Sequence, residues 1–412
     1  MANMQYQSLR KGNRNMQYGI SIIRRCYFLS VLLVTVWLTG CVQEELGATP
    51  SPAGNGIRFT LTVPDVNLPS VSSRTMTGTG TAKKEDEIET VDILVFDVSK
   101  TPAVFLEWTS ATGVTQDLAD NSTVSFSAVL SPTTASTCIV VVANKELDDI
   151  VSGFTKGVTT KVQAMEAMLH IQTGKWLADG STTGGYTRIP MYGEKVITKI
   201  DPSMTPITGI NMKRMLARID IHNNSVTSNF TVEEVYLANY NTTGYIAPAW
   251  NTNGQATEPA PDTPVIPADS GKMTAEGDAI LYSVNGNTPY DGEIYTFESL
   301  AAEDAGGAGQ DGEASRKDAT CLIVKGKIGT GKSTFYRVDF TKTGNTGEQV
   351  EYLPLKRNHK YIITITQALG TGYASFSEAL LSYTVMSNLK FRLIHYDRDK
   401  VKDVVYNGQY ML

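Results

Sequence analysis

Between residues 57 and 63 apolar and polar side chains alternate without a break (Ile57, Arg58, Phe59, Thr60, Leu61, Thr62, Val63), which predicts a strand with one buried and one solvated face. Strand-like runs follow at VDILVFDV (91–98), STVSFSAVL (122–130) and CIVVVAN (138–144). One stretch carries a helical period instead. In KVQAMEAMLHI (161–171), Val162, Met165, Met168 and Leu169 fall on one face, a stripe that predicts core packing. Ile189–Glu194 (IPMYGE) reads as a turn, and alternation resumes in MKRMLARIDIHNN (212–224). Further strands are predicted at VEEVYLANY, DAILYSV, IYTFESL, TCLIVKGKI, TFYRVDF, KYIITITQAL, ALLSYTV and LKFRLI. Segments 251–272 and 302–318 are polar and rich in Gly and Pro, and read as surface loops. Short strands spaced by turn signals predict two mostly-β sandwich domains in tandem, 75–207 and 208–412, with a short helical insertion in the first.

The N-terminus has a different character. Arg24-Arg25 precede an apolar run of 13 residues (26–38), too short to span a bilayer but suited to a secretory signal, so 1–40 is expected to be a signal peptide. Met16 offers an alternative start that gives a more ordinary signal length. Leu38-Thr39-Gly40-Cys41 resembles a bacterial lipobox, which makes Cys41 the expected site of lipid attachment. Residues 42–56 are small and polar, a tether between lipid and fold. A polar loop with Arg74 at its middle then follows the first strand. The formal charge is −6, but residues 1–40 hold five basic residues and no acid, leaving 31 basic against 42 acidic residues beyond them. A chain that acidic is a poor match for a phosphate backbone, so nucleic acid is excluded as a partner.

Little in the chain suggests catalysis. The four histidines (170, 222, 359, 395) lack metal-ligand spacing, and no metal or other cofactor is expected. Cys138 and Cys321 each open an apolar run, where they read as buried thiols or, in an oxidising compartment, as a disulfide pair. Gly326–Ser333 satisfies the phosphate-loop pattern G-x-x-x-x-G-K-[ST]. That chemistry requires a helix after the loop, whereas Thr334–Phe340 alternates with a β period, so a hairpin turn is predicted and nucleotide binding is rejected. Acidic runs such as Glu85-Asp86-Glu87 read as solvated. No enzyme is expected.

Several places in order resemble the fimbrillins of Bacteroidales, the FimA-type subunits of type V pili: the lipobox at Cys41, the alternating strand leading to Ser73-Arg74, VVVAN at 140–144, IPMYGE at 189–194, KRMLARIDI at 213–221 and Lys356–Tyr361 before ITIT. The resemblance implies two transthyretin-like Greek-key β-sandwiches, export as an outer-membrane lipoprotein and a cell-surface fimbrium supporting adhesion. It also implies cleavage by an Arg-specific protease between Arg74 and Thr75, releasing 41–74 as a lipidated propeptide with its strand (Ile57, Phe59, Leu61, Val63). The vacated groove would take a strand from another copy or a related pilin, giving a head-to-tail polymer. The expected donor is the C-terminal segment 404–412, with Val404, Tyr406, Tyr410 and Leu412 as its candidate residues; the alternative is an edge hairpin with LKFRLI in the same domain. An anchor or tip subunit, or an anchored lipoprotein binding glycan or a host protein, is the rival expectation, with Trp250 as its one aromatic hint.

Overall fold

The computed structural model describes residues 56–63, 85–117, 123–177, 187–201, 203–225, 228–256, 264–268, 270–273, 276–286, 290–302, 317–341, 352–382, 388–398 and 404–406. Cys41, Arg74, Thr75, Tyr410 and Leu412 lie outside them, as do 257–263 and 303–316 of the two long loops. The architecture is mostly β and sandwich-like. In chain order the first strands are β1 (Ile57–Thr62), β2 (Val91–Asp97), β3 (Val104–Ser110), β4 (Thr112–Gln116) and β5 (Thr123–Ala128). Next come β6 (Thr137–Ala143), β7 (Leu169–Ile171), β8 (Met191–Ile197), β9 (Ile207–Asn211) and β10 (Lys213–Arg214). All of these but β7 build two facing sheets, ordered β4-β5-β1-β9 and β10-β8-β6-β2-β3, and these carry strand pairing past residue 207 to Arg214.

The core between these sheets takes the alternating side chains of β1, Val124 and Phe126 of β5, Ile93 and Val95 of β2, and Ile139 and Val141 of β6. β2 and β6 are buried along their whole lengths. Their opposite faces, including Leu94, Phe96, Cys138, Val140 and Val142, pack under a second layer. That layer holds α1 (Asp148–Val151), α2 (Lys161–Ala167), Trp176 and, from further along the chain, Leu216, Ile246 and Phe297. Two covered faces explain why these strands read as continuous apolar runs.

The remaining strands are β11 (Ala217–Asn223), β12 (Phe230–Ala238), β13 (Tyr240–Asn241), β14 (Thr243–Tyr245), β15 (Lys272–Met273) and β16 (Ile280–Gly286). After them run β17 (Tyr290–Thr296), β18 (Cys321–Ile328), β19 (Thr334–Val338), β20 (His359–Ala368), β21 (Leu389–Asp397) and β22 (Val404–Tyr406). Sheets β17-β11-β20-β21-β22 and β16-β12-β18-β19 close on a second core that includes Ile219, Val235, Val324, Tyr361, Ile363 and Phe391. A short α3 (Phe376–Leu380) covers the outer face of β18.

Four local expectations change. Met191–Ile197 is a strand, not a turn. Gly193 is required there because a Cβ would stand 2.7 Å from Ile210 Cγ2 and 2.9 Å from the Asn211 carbonyl oxygen. The helix at 161 stops at Ala167, and Leu169–Ile171 turns into β7 to pair with β14. Ala379-Leu380 belong to α3, whose N-cap Ser375 accepts from the Glu378 N–H, so the strand expected at ALLSYTV does not begin there. MKRMLARIDIHNN divides into β10, in the first pair of sheets, and β11, in the second.

The phosphate-loop pattern does form a hairpin. β18 and β19 pair antiparallel from Leu322–Val338 to Gly326–Thr334, and Gly329 supplies a positive φ of 54° at the turn. Cys138 and Cys321 are buried, free thiols.

Candidate functional site

β1 occupies an interior position of its sheet. On one side it pairs antiparallel with β5 over six residues, from Ile57–Ala128 to Thr62–Thr123. On the other it pairs parallel with β9, Phe59 beside Ile207 and Leu61 beside Ile210. The register slips between those pairs, where β9 holds an extra residue and Gly209 takes a φ of 73°. The Met212 N–H extends the ladder to the Thr62 carbonyl at 2.8 Å. Ile57, Phe59, Leu61 and Val63 are at most 3% exposed, and Phe59 stacks on Phe126 with ring centres 5.0 Å apart. Each of these side chains contributes about 1.5–3 kcal/mol of burial. Without β1, β5 and β9 would face one another across a slot with free backbone groups on both walls and an apolar floor.

The chain re-enters the described structure at Glu85, and there the solvated charge run expected from sequence is corrected. Glu85 is 4% exposed. Its carboxylate takes Arg218 Nη1 at 2.7 Å, Arg398 Nη2 at 3.1 Å and the Tyr295 hydroxyl at 3.0 Å. Burial alone would raise its pKa, but Arg398, Arg218 and Arg214 together hold it well below the usual carboxylate range. Asp86 pairs with buried Arg214. Arg218 continues to Asp220, which also holds Lys360 at 2.9 Å. This network ties Glu85 and Asp86 to strands of both sheet pairs, and through Arg398 to the residue just beyond β21.

Val404–Tyr406 forms β22 at the edge of its sheet, antiparallel to β21 with Leu393 opposite Tyr406 and His395 opposite Val404. Trp250 is not an exposed platform. It is half-buried, edge-on to Tyr245 at 5.0 Å, and packs at the seam between the two halves. Among the described residues no group of three or more His, Cys, Asp or Glu is placed to hold a metal ion, and no helix is long and apolar enough to cross a membrane. Sequence reasoning missed the Glu85–Arg218–Arg398 network, since nothing in a run of charges shows which members a fold will bury.

Residues 57–206 match the family described as "Major fimbrial subunit protein (FimA)". No curated protein matches the chain. Among solved structures, the tip fimbrial protein Mfa3 from Porphyromonas gingivalis with C-terminal truncation aligns with a TM-score of 0.46 and 15% identity, over 82% of this chain and 99% of that one. A fimbrial assembly protein from Parabacteroides distasonis aligns with a TM-score of 0.41 and 10% identity, over 85% of this chain and 98% of that one. The matched stretch, 57–206, holds β1 and most of the first two sheets, and its match is to the same FimA-type family that the sequence resembles.

Proposed function

We propose that this protein is a structural pilus subunit, made as a lipoprotein precursor on Cys41 and carried through the outer membrane to a cell-surface fimbrium. An Arg-specific protease cuts after Arg74, β1 leaves with the lipidated propeptide, and a strand from another subunit fills the slot between β5 and β9. The observation that carries this reading is the placement of β1: a strand buried on its core face, paired on both sides, and followed within the sequence by a polar loop bearing Arg74. The new N-terminus would precede Glu85 by ten residues. The ion pairs of Glu85 and Asp86 therefore stay with the mature subunit and keep its two halves joined while β1 departs. Because donor and acceptor surfaces differ, the contact is head-to-tail and grows a filament. Residues 404–412 are the proposed donor. β22 is a three-residue edge strand held on one side only, which suits a segment that leaves its own sheet.

The test is limited digestion of the purified precursor with an Arg-specific protease, reading the new N-terminus by mass spectrometry and the assembly state by gel and electron microscopy. Thr75 as first residue together with heat-stable ladders or fibres supports the proposal, and an Arg74→Ala precursor should remain monomeric. Cleavage at Arg74 that leaves a monomer overturns it in favour of an anchor or ligand-binding lipoprotein.

A further inference from the structure

Away from the β1 slot, the outer face of the first core sheet holds a buried lysine whose surroundings exceed what an ion pair needs. Lys161 opens α2, where Thr160 and Gln163 form a reciprocal capping box and the Lys161 N–H bonds the Ala103 carbonyl at 2.8 Å. Its side chain is fully buried. The loop 251–256 lies directly over it, and a Cβ on Gly254 would stand 2.9 Å from Lys161 Cβ. The ammonium group reaches Glu194 Oε2 at 2.6 Å and Cys138 Sγ at 3.3 Å.

Glu194 is held from the other side as well. The Tyr192 hydroxyl, two residues back on the same face of β8, donates to Oε2 at 2.5 Å. The Ala256 N–H donates to Oε1 at 3.0 Å. One carboxyl oxygen thus has a backbone donor suited to an oxyanion, while the other has the amine and a phenol against it. Glu194 also borders a cleft of about 470 Å³ lined by Tyr192, Asn211, Pro248 and Ala256.

We propose that Lys161 and Glu194 condense to an intramolecular amide bond, a covalent staple between α2 and β8. Along the 2.6 Å contact one proton passes from Nζ to Oε2, giving a neutral amine and a neutral acid. The nitrogen lone pair then attacks the carboxyl carbon, and the C–O electron pair collects on Oε1 beneath the Ala256 N–H. Nζ gives up a proton to the Oε2 hydroxyl, which leaves as water into the cleft while Tyr192 polarises it. A C–N bond forms, a C–O bond breaks, one water is released, and no oxidant or co-reactant is consumed. Cys138 does not compete as a nucleophile, since burial pushes its thiol up to about 11 and keeps it protonated. The staple crosses between segments 33 residues apart and is independent of whether β1 is ever removed.

Tandem mass spectrometry on a digest of the folded full chain tests this. The expected result is a branched peptide pair joining Lys161 to Glu194, one water lighter than the two peptides separately and resistant to reduction. Separate, full-mass Lys161 and Glu194 peptides from the folded protein overturn it, with no variant needed. In Tyr192→Phe, which keeps the ring, the bond should form about a hundredfold more slowly after refolding. An unchanged rate removes Tyr192 from the chemistry.

Discussion

Replacing Phe59 by Ala in the precursor isolates how firmly β1 is seated. The ring is 1% exposed, lies opposite Phe126 across the β1–β5 ladder, and stacks on it at 5.0 Å with an interplanar angle of 7°. Phe59 also has Ile207 beside it on β9, so both walls lose contacts with it. Deleting a buried phenylalanine costs about 3–5 kcal/mol from lost transfer energy and the cavity left behind. The stacked pair contributes a further ~0.5–1.5 kcal/mol. The cavity cannot collapse easily, because β1 is pinned by backbone pairing on both sides. Urea unfolding of the precursor, followed by fluorescence and circular dichroism, should show a loss of at least about 3 kcal/mol in the transition of the first sheet pair. After cleavage at Arg74 and loss of the propeptide, the two proteins become chemically identical, and the difference should vanish. A Phe59→Ala precursor within about 0.5 kcal/mol of the parent would refute the placement of β1 in that core.

Other consequences follow from single residues. Gly193→Ala should destabilise the protein by about 1–3 kcal/mol, because the added methyl meets the Asn211 carbonyl oxygen as well as Ile210 and Met212; thermal unfolding measures it. Burial, then the charges of His359 and Lys356, lower His395 from 6.5 to about 2 in the folded protein. Below pH 6.5 the unfolded chain therefore binds more protons than the folded one, and stability falls by up to about 1.4 kcal/mol per pH unit from this residue as the solution is acidified. A denaturation series between pH 7 and 5 should show that fall, and His395→Gln should make it shallower without abolishing it, since burial also lowers His170 and His359. Glu85→Gln removes the buried carboxylate that Arg218 and Arg398 share, leaving Arg218 to Asp220 and Arg398 to Asp86 at 3.4 Å, and should cost up to about 3 kcal/mol in equilibrium unfolding.

Much of the β architecture was legible because burial and alternation coincide. β1 shows its buried face as a perfect period of two. β2 and β6 appear as unbroken apolar runs because sheet core lies on one side and the seam on the other. Legibility failed where tertiary contact overrides the local signal. Pro190 and Gly193 look like turn residues, yet Gly193 is small so that β9 and Met212 can pass over β8. β3 (VFLEWTS) is half-buried at most of its positions, so no clean pattern survives in it. At the candidate site, the strand and its apolar side chains could be read from the chain, but not its neighbours β5 and β9, which lie 66 and 150 residues away in sequence. The Glu85 network and the Lys161–Glu194 pair were equally hidden, since each depends on which charged groups a fold brings together.

Strand exchange itself is tested most directly by competition. Cleaved subunit, freed of its propeptide, is mixed with a synthetic peptide of residues 56–64, and assembly is followed by gel and electron microscopy. The account predicts that the peptide occupies the slot, caps growth and leaves monomers, while the same peptide with Phe59→Asp does not. Fibres that grow at the same rate with either peptide would contradict it.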